Sequence, residues 1–203
     1  MILYKYKSCD PIEHVEEIVR DGQFYFANWN ELNDPMEGYF SYSREEIDSQ
    51  SVESIVSGKS GLRICSLSRR YDDPRMWTHY AKGHKGICIG INIDDKVDLV
   101  RVSYQRIIPR LRSAGVELSH TPKSILSSKV SLWKHEQEYR AFIRSDSGKE
   151  KARLGSINCV IFGLRSHPTF RSRVMEIVSN GTIAYQAHLD FERNLVHRKR
   201  IGV

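Results

Sequence analysis

The residues best suited to chemistry lie in the stretch Ser131–Arg144, which reads SLWKHEQEYRAFIR. Two carboxylates, Glu136 and Glu138, are followed by the guanidinium of Arg140 at the same spacing of two residues. Because side chains alternate along a strand, this spacing predicts that all three lie on one face. Such a set can hold one carboxylate ionised and oriented for catalysis. The alternative is an outward-facing ion-pair ladder, which contributes little to stability.

The composition is that of an ordinary globular protein. The chain has 203 residues, of which 40% are hydrophobic and 28% charged, and this length predicts a single domain over residues 1–203. No apolar run approaches the ~20 residues of a membrane span. The N-terminal stretch MILYKYKSCD lacks the regions of a secretory signal. We therefore expect a cytoplasmic protein without a membrane partner.

The net charge and the cysteines restrict the possible partners and metal sites only slightly. The net charge of +6 permits a polyanionic partner such as nucleic acid or a dinucleotide, but does not require one. The four cysteines form no CxxC pair. His79 and His84, the closest histidines, are spaced for different faces of a helix, so they are poor joint ligands. The sequence therefore predicts free thiols and no metal site.

Hydrophobic periodicity and turn residues predict an α+β fold. The predicted strands besides the one that carries Glu138 are Ile2–Lys7, Gln23–Ala27, Leu62–Ser68, Gly86–Ile93, Leu99–Tyr104, Ile157–Gly163 and Thr182–Leu189. The predicted helices begin at Asp10, Asp73, Thr121 and His167. We expect the third helix to reach about Trp133, and Leu99–Tyr104 to pair with Gly86–Ile93. The resulting core is a mixed, mostly antiparallel sheet, whole or split, flanked by helices.

A polar loop, NWNELNDPMEG, follows the third predicted element of the chain. Asn33, Asp34 and Pro35 favour a turn in which an Asn or Asp side chain accepts a hydrogen bond from the backbone. These residues can have this structural role alone. Because Glu37 follows directly, the loop is also a candidate part of a site.

The helix predicted after Asp73 carries Trp77 and Tyr80. Their helical spacing fits plain packing into a core. Flat aromatic rings at this spacing can also stack on a planar ligand. Both interpretations stay open from the sequence.

Four blocks occur in order along the chain: LYKY near the start, the NDPxE loop, WxxYAxxHxGxCIG after Met76, and WxxExEYR from Trp133. Together they resemble a widespread bacterial domain family of unknown function. The resemblance covers most of the chain in the same order. It carries no activity with it.

The plan of the chain also resembles, more distantly, that of the ADP-ribosyltransferases. In that fold a first strand offers a polar residue to NAD, an aromatic-bearing helix stacks on nicotinamide, and a late strand presents a glutamate. The resemblance gives these roles to Lys5 or Tyr6, to Trp77 and Tyr80, and to Glu138. Glu136-Gln137-Glu138 is similar to the ExE signature of the arginine-modifying branch. The chain departs from the pattern in its first strand, which lacks the usual His or Arg, and in having no clear Ser-Thr-Ser.

The resemblance implies an enzyme that uses NAD as cosubstrate to modify a macromolecule or that hydrolyses NAD, in a setting such as a bacterial toxin or phage defence. The acceptor would be a protein or a nucleic acid. Glu138 is the expected catalytic residue, with Glu136 in support. The candidate binding residues are Lys5, Tyr6, Asn33, Asp34, Glu37, Ser68, Trp77, Tyr80, His84 and Arg140.

Two other functions remain open. One is a non-catalytic module that binds nucleic acid or nucleotide through basic residues, whose binding would depend on salt. Its candidate residues are Arg106, Arg110, Arg112, Lys123 and Lys129. The other is an RNA-processing phosphotransferase of related shape.

Overall fold

A computed structural model describes residues 1–114, 117–145, 148 and 150–201 of the chain. The fold is α+β, with a large, mixed and mostly antiparallel sheet flanked by helices, as predicted. The chain contacts divide into two compact units. The first comprises residues 1–24, 67–97 and 151–203, and the second comprises residues 25–66 and 98–150. The expectation of one domain over residues 1–203 stays a prediction.

The first unit holds five neighbouring strands in the order β14-β13-β12-β4-β1. β12 and β13 run parallel, and the other neighbours are antiparallel. The strands are β1 (Ile2–Lys7), β4 (Ile87–Ile93), β12 (Gly155–Phe162), β13 (Ile183–Asp190) and β14 (Leu195–Arg200). The helices are α1 (Glu13–Glu16), α3 (Pro74–Tyr80) and α5 (Pro168–Ile177).

α3 has the local signals that its sequence predicts. Asp73 is the N-cap, its carboxylate accepts a hydrogen bond from the amide of Arg75, and Pro74 lies in the first turn. Met76 and Trp77 are buried on the inner face. This helix packs into an aromatic core with Tyr4 and Tyr6 of β1.

The second unit is built around β10 (Glu138–Arg144), which lies between β3 and β5 (Leu99–Arg101). β3 (Leu62–Ser68) begins in this unit and ends in the first. The remaining elements are β2 (Phe24–Tyr25), β6 (Ser103–Gln105), β7 (Ser113–Ala114), β8 (Glu117–Leu118), β9 (Ser128–Val130), β11 (Lys151–Ala152), α2 (Ser49–Ser60) and α4 (Pro122–Ile125). Of these, β11 belongs to the first unit, and β2 crosses the boundary between the units.

Three details of the predicted elements are wrong. Asp10 does not cap α1, whose N-cap is Ile12 without a side-chain hydrogen bond. The helix that begins at Pro122 ends at Ile125 rather than Trp133, because the chain continues into β9 and a 3-10 helix over Ser131–Glu136. Neither half of the predicted strand Leu99–Tyr104 pairs with β4. β5 pairs with β10, and β6 pairs with β9.

Within the described ranges, no helix combines the length and apolar character required to cross a membrane.

Candidate functional site

Five charged side chains are buried together in the second unit, and we call them the charge cluster. They come from the polar loop, from β9, from the 3-10 helix and from β10. Their exposures are 0–6% of the residue surface: Arg140 0%, Glu136 3%, Glu138 3%, Glu37 5% and Lys129 6%. The outward-facing ladder considered from the sequence is therefore wrong. Buried charges are costly unless they are paired, and here all five have partners of opposite charge.

Arg140 is the most deeply buried member. Its Nε donates to Glu138 Oε1 at 2.8 Å and its Nη2 lies 3.2 Å from Glu138 Oε2. Nη2 also donates to Glu37 Oε2, and Nη1 donates to the carbonyl of Leu126 at 2.5 Å. A planar guanidinium suits such a fork of acceptors, which a lysine could not reproduce.

Lys129 contacts the same carboxylates from β9. Its ammonium lies 2.5 Å from Glu136, 2.9 Å from Glu37 and 3.2 Å from Glu138. The ammonium is also 5.0 Å from the ring centroid of Trp133. Lys129 thus connects all three carboxylates. It is not available to the basic surface proposed for the nucleic-acid-binding alternative.

The backbone around Gln137 corrects the expected geometry of the two glutamates. Glu136 is not on the strand, since it ends the 3-10 helix and β10 begins at Glu138. Between them Gln137 has φ 44° and ψ 50°, the left-handed conformation that non-glycine residues rarely adopt. This sharp change of direction lets both carboxylates contact Lys129. A non-glycine residue in the left-handed conformation destabilises the folded state by about 1–3 kcal/mol, and such residues concentrate at functional sites.

The polar loop brings Glu37 to the cluster. Asp34 Oδ1 accepts a hydrogen bond from the amide of Met36 at 2.9 Å, and the Glu37 amide donates to the carbonyl of Asp34 at 3.1 Å. The predicted side-chain-to-backbone constraint is confirmed for Asp34. Gly38 has φ +75°, and a side chain there would lie 2.7 Å from the ring of Trp29, so a glycine is required. Asn33 is exposed.

Neighbouring strands fix the cluster from the other side. β6 and β9 are parallel, with Tyr104 opposite Lys129. The Tyr104 hydroxyl accepts a hydrogen bond from the amide of Glu138 at 2.8 Å. The side chain of Ser66, on β3, hydrogen-bonds to Glu138. Sequence reasoning missed the roles of Lys129 and Tyr104 here, because both pairings depend on contacts between strands distant in the chain.

Glu138 keeps its negative charge in the cluster. Burial alone would raise the pKa of Glu138, but Arg140 and Lys129 outweigh it and lower the pKa from 4.5 to about 2. Burial lowers the pKa of Lys129, yet the three carboxylates raise it well above the usual range. The pKa of Tyr104 rises to about 12, first because of burial. Glu138 is therefore an ionised acceptor at neutral pH and not a general acid.

The first unit holds the other candidate residues, and Trp77 is central among them. Trp77 is fully buried, and its Nε1 donates to the carbonyl of Tyr71 at 2.7 Å. The ring contacts Tyr6 edge-on at 5.3 Å and stacks with His84 at 6.1 Å. This environment matches the core-packing interpretation of Trp77. Tyr80 is partly buried against the same core.

The remaining candidates of the first unit have different surroundings. Lys5 and Tyr6 project from opposite faces of β1, so they cannot act as equivalents. Tyr6 is buried, and its hydroxyl donates to the carbonyl of Arg70 at 3.0 Å. Ser68 is buried, and its hydroxyl accepts from the amide of Arg70 at 3.0 Å. His84 has φ +67°, and burial lowers its pKa.

The charge cluster thus unites four predicted residues, Glu37, Glu136, Glu138 and Arg140, with Lys129. Its five members leave an excess of one carboxylate over the cations. In the part of the chain that the structure describes, no group of three or more His, Cys, Asp or Glu residues could hold a metal ion. No protein-family model, curated protein or solved structure matches the chain.

Proposed function

We propose that this chain is an ADP-ribosyltransferase-like enzyme that cleaves NAD, passing ADP-ribose to a macromolecule or to water. The supporting observation is the buried charge cluster, in which Glu138 is ionised and fixed by Arg140 and Lys129. A carboxylate held away from bulk water acts on nearby charge more strongly than an exposed one.

The chemistry calls for such a group. When the bond between nicotinamide and ribose breaks, its electron pair leaves with nicotinamide and the ribose becomes cation-like. The acceptor then bonds to that carbon and loses a proton. A carboxylate that is already oriented stabilises the developing positive charge without reorganising. Glu138 has this role in the proposal.

Glu136 and Glu37 support Glu138 by sharing its cations. Lys129 is bound by all three carboxylates, and Arg140 is bound by Glu37 and Glu138. Neither cation is therefore available to neutralise Glu138 alone. Three carboxylates against two cations leave a net negative charge, which favours a cationic ribose over a neutral one.

The residues expected to bind NAD remain predictions. They are Lys5, Tyr6, Ser68, Trp77, Tyr80 and His84 in the first unit, and Asn33 and Asp34 in the polar loop. A bacterial toxin or phage-defence setting, a protein or nucleic-acid acceptor, and a cytoplasmic location are parts of the same proposal.

The test is nicotinamide release from NAD by wild type, Glu138→Gln and Glu136→Gln at equal folded concentration. We expect Glu138→Gln to release nicotinamide about 10²–10³-fold more slowly than wild type, which is the usual effect of removing one preorganised electrostatic group. The Glu136→Gln variant should lose less, because Glu136 acts through Lys129. Glu53→Gln, an exposed change on α2, is the matched control and should have the wild-type rate.

Folding must be followed in the same samples. Glu138→Gln keeps the size of the side chain but unbalances Arg140 and Lys129, so we expect a lower midpoint of unfolding. Circular dichroism gives the folded fraction by which each rate is divided. Absence of nicotinamide release by wild type with protein, nucleic acid or water as acceptor would contradict the proposal. Tight nucleic-acid binding by that inactive wild type would instead favour the module built on the exposed Arg106, Arg110 and Arg112.

A further inference from the structure

A second arginine, Arg198, is held by aromatic rings rather than by carboxylates. It lies on β14 in the first unit and is partly exposed. Its guanidinium carbon is 4.3 Å from the ring centroid of Tyr71 and 4.5 Å from that of Tyr185. Both rings are also partly exposed. Two rings at these distances fix the plane of the guanidinium while its N–H edge can still reach a ligand.

The hydrogen bonds of Arg198 leave most of its donors for a ligand. Nη1 lies 3.8 Å from Cys159 Sγ, a weak acceptor, and the side chain hydrogen-bonds to Tyr4. Over residues 1–114, 117–145, 148 and 150–201, no carboxylate forms a salt bridge with Arg198. A guanidinium has five N–H donors, so two oxygens of an oxyanion can still be bound through two of them.

The two acidic side chains that follow Tyr71 in the sequence already bind other arginines. Asp72 accepts two hydrogen bonds from Arg70, at 2.7 and 3.1 Å. Asp73 accepts from Arg75 at 2.7 Å and also caps α3. Each of these two carboxylates is therefore paired with an arginine other than Arg198.

The strands leave room for this arrangement. On β4, Gly90 is opposite both Tyr4 and Cys159. A side chain at Gly90 would lie 2.6 Å from Cys159 Sγ and 3.2 Å from the Tyr4 ring, so only glycine lets these two side chains occupy this face. On β13 the residue opposite Arg198 is the small Ala187. The guanidinium therefore extends over the sheet towards the rings instead of being blocked by a bulky neighbour.

We propose that Arg198, with Tyr4, Tyr71 and Tyr185, forms a binding site for the phosphate group of a phosphomonoester. The guanidinium binds two phosphate oxygens, and the Tyr4 hydroxyl donates its proton to a third while it accepts from Arg198. A dianionic phosphate gains more from the charge of Arg198 than a monoanionic carboxylate does. This site shares no residue with the charge cluster, and NAD itself has no terminal phosphate.

The experiment is calorimetric titration of the whole chain with inorganic phosphate, adenosine monophosphate, adenosine and acetate. We expect both phosphates to bind, and adenosine and acetate to bind at least about tenfold more weakly, as loss of a charge-assisted hydrogen-bonded pair requires. Inorganic phosphate binding as tightly as the nucleotide would contradict a phosphomonoester as the ligand. Tighter binding of the nucleotide identifies an ester.

Three variants locate the site. Arg198→Gln should weaken phosphate binding about tenfold or more, and Arg198→Lys should do nearly the same, since lysine cannot form the two-pronged contact. Arg200→Gln removes the same charge from an exposed position on the same strand, and should change affinity less than about twofold because solvent screens it. Equal loss in Arg198→Gln and Arg200→Gln would overturn the proposal.

A measurement on the wild type avoids dependence on variants that fold poorly. Phosphate should shift the ¹⁵Nε resonance of Arg198 in a saturable manner, whereas sodium chloride at equal ionic strength should not. No shift, no calorimetric binding, or acetate binding as tight as phosphate would each refute a phosphate site at Arg198.

Discussion

Arg140 is fully buried and Arg198 is partly buried, and the protein compensates the two positive charges in opposite ways. Arg140 is fully buried and binds Glu37 and Glu138. Arg198 is partly exposed and has tyrosine rings as its main neighbours. The same contrast separates two buried lysines. Lys129 contacts three carboxylates, whereas the ammonium of Lys59 contacts the rings of Trp29 and Phe40 and the carbonyl of Gly38.

This difference determines whether each cation holds neighbouring side chains in place or can bind an external anion. A cation matched by carboxylates has its charge neutralised and its donors used, so it serves to hold its partners in place. A cation matched by rings is attracted only by quadrupoles and keeps its full charge. Arg140 is therefore a positioning group for Glu138, while Arg198 can bind an anion from outside.

The largest expected effect comes from removing Arg140. In Arg140→Met, Glu37 and Glu138 are left buried with Lys129 as the remaining cation of the charge cluster, and we expect a loss of about 3–5 kcal/mol in the free energy of unfolding. Urea denaturation followed by tryptophan fluorescence gives this value. Arg20→Met is the control, because Arg20 is exposed and its nitrogen is 3.9 Å from Glu16. We expect that change to cost less than about 1 kcal/mol. Similar losses in both variants would show that the buried partners of Arg140 contribute no more than a surface ion pair does.

Acid should weaken the second unit through the same carboxylates. The pKa of Glu138 is lowered from 4.5 to about 2 in the folded chain. A carboxylate with a lowered folded pKa contributes its stability above its unfolded pKa and loses it as the pH falls towards the folded pKa. We expect about 3 kcal/mol to be lost between pH ~4.5 and ~2 from this group.

The measurement is the free energy of unfolding at several pH values for wild type and Glu138→Gln. The variant lacks the titrating group, so its stability should fall less steeply in this range. Parallel pH profiles for the two proteins would show that Glu138 has no lowered pKa.

The sequence predicted the elements better than their partners. Leu62–Ser68 and Ile2–Lys7 were predicted with the bounds that the structure has, because strong alternation and turn residues are local signals. Leu99–Tyr104 was given the wrong neighbour, since pairing depends on side chains far apart in the chain. Glu136 was placed on a strand because spacing alone cannot reveal the left-handed turn at Gln137.

For the candidate site, the sequence identified the carboxylates and Arg140, but not the lysine that neutralises part of their charge. The grouping of Glu136, Glu138 and Arg140 was predicted, and Glu37 was included through its loop. Lys129 was assigned to a basic surface with the other basic residues that precede the Glu138 strand, and lysines usually face solvent. In the structure, β9 pairs with β6 and the side chain of Lys129 is buried.

A smaller effect on stability is expected at Arg198. Arg198→Met removes two contacts between a cation and an aromatic ring on a partly exposed side chain, so the free energy of unfolding should fall by about 1–2 kcal/mol. No carboxylate loses its partner, unlike in Arg140→Met. Thermal unfolding of both variants under one set of conditions gives the comparison. A loss at Arg198 as large as that at Arg140 would indicate that the rings compensate the charge as fully as carboxylates do.

Replacing Lys59 should change the free energy of unfolding least, and the sign of that change depends on two opposing terms. Lys59→Met removes the ring contacts and the 2.6 Å hydrogen bond to the Gly38 carbonyl, but also the cost of burying an ammonium. These terms oppose each other, so the net change should be about 1 kcal/mol or less. Lys129→Met, which leaves the three carboxylates of the charge cluster with Arg140 as its remaining cation, should cost about 3–5 kcal/mol.

Alkaline pH separates the two lysines further. Burial lowers the pKa of Lys59, so folding disfavours its charged form, and that penalty disappears as the pH rises through the lowered pKa towards the ordinary value of 10.5. Over this window wild type should gain stability relative to Lys59→Met. The carboxylates raise the pKa of Lys129, so wild type relative to Lys129→Met should show no such gain. Urea denaturation of all three proteins at pH values from 8 to 10.5 measures both differences. A relative gain for Lys129 and none for Lys59 would reverse the comparison, since the rings would then be the stronger partners of a buried cation.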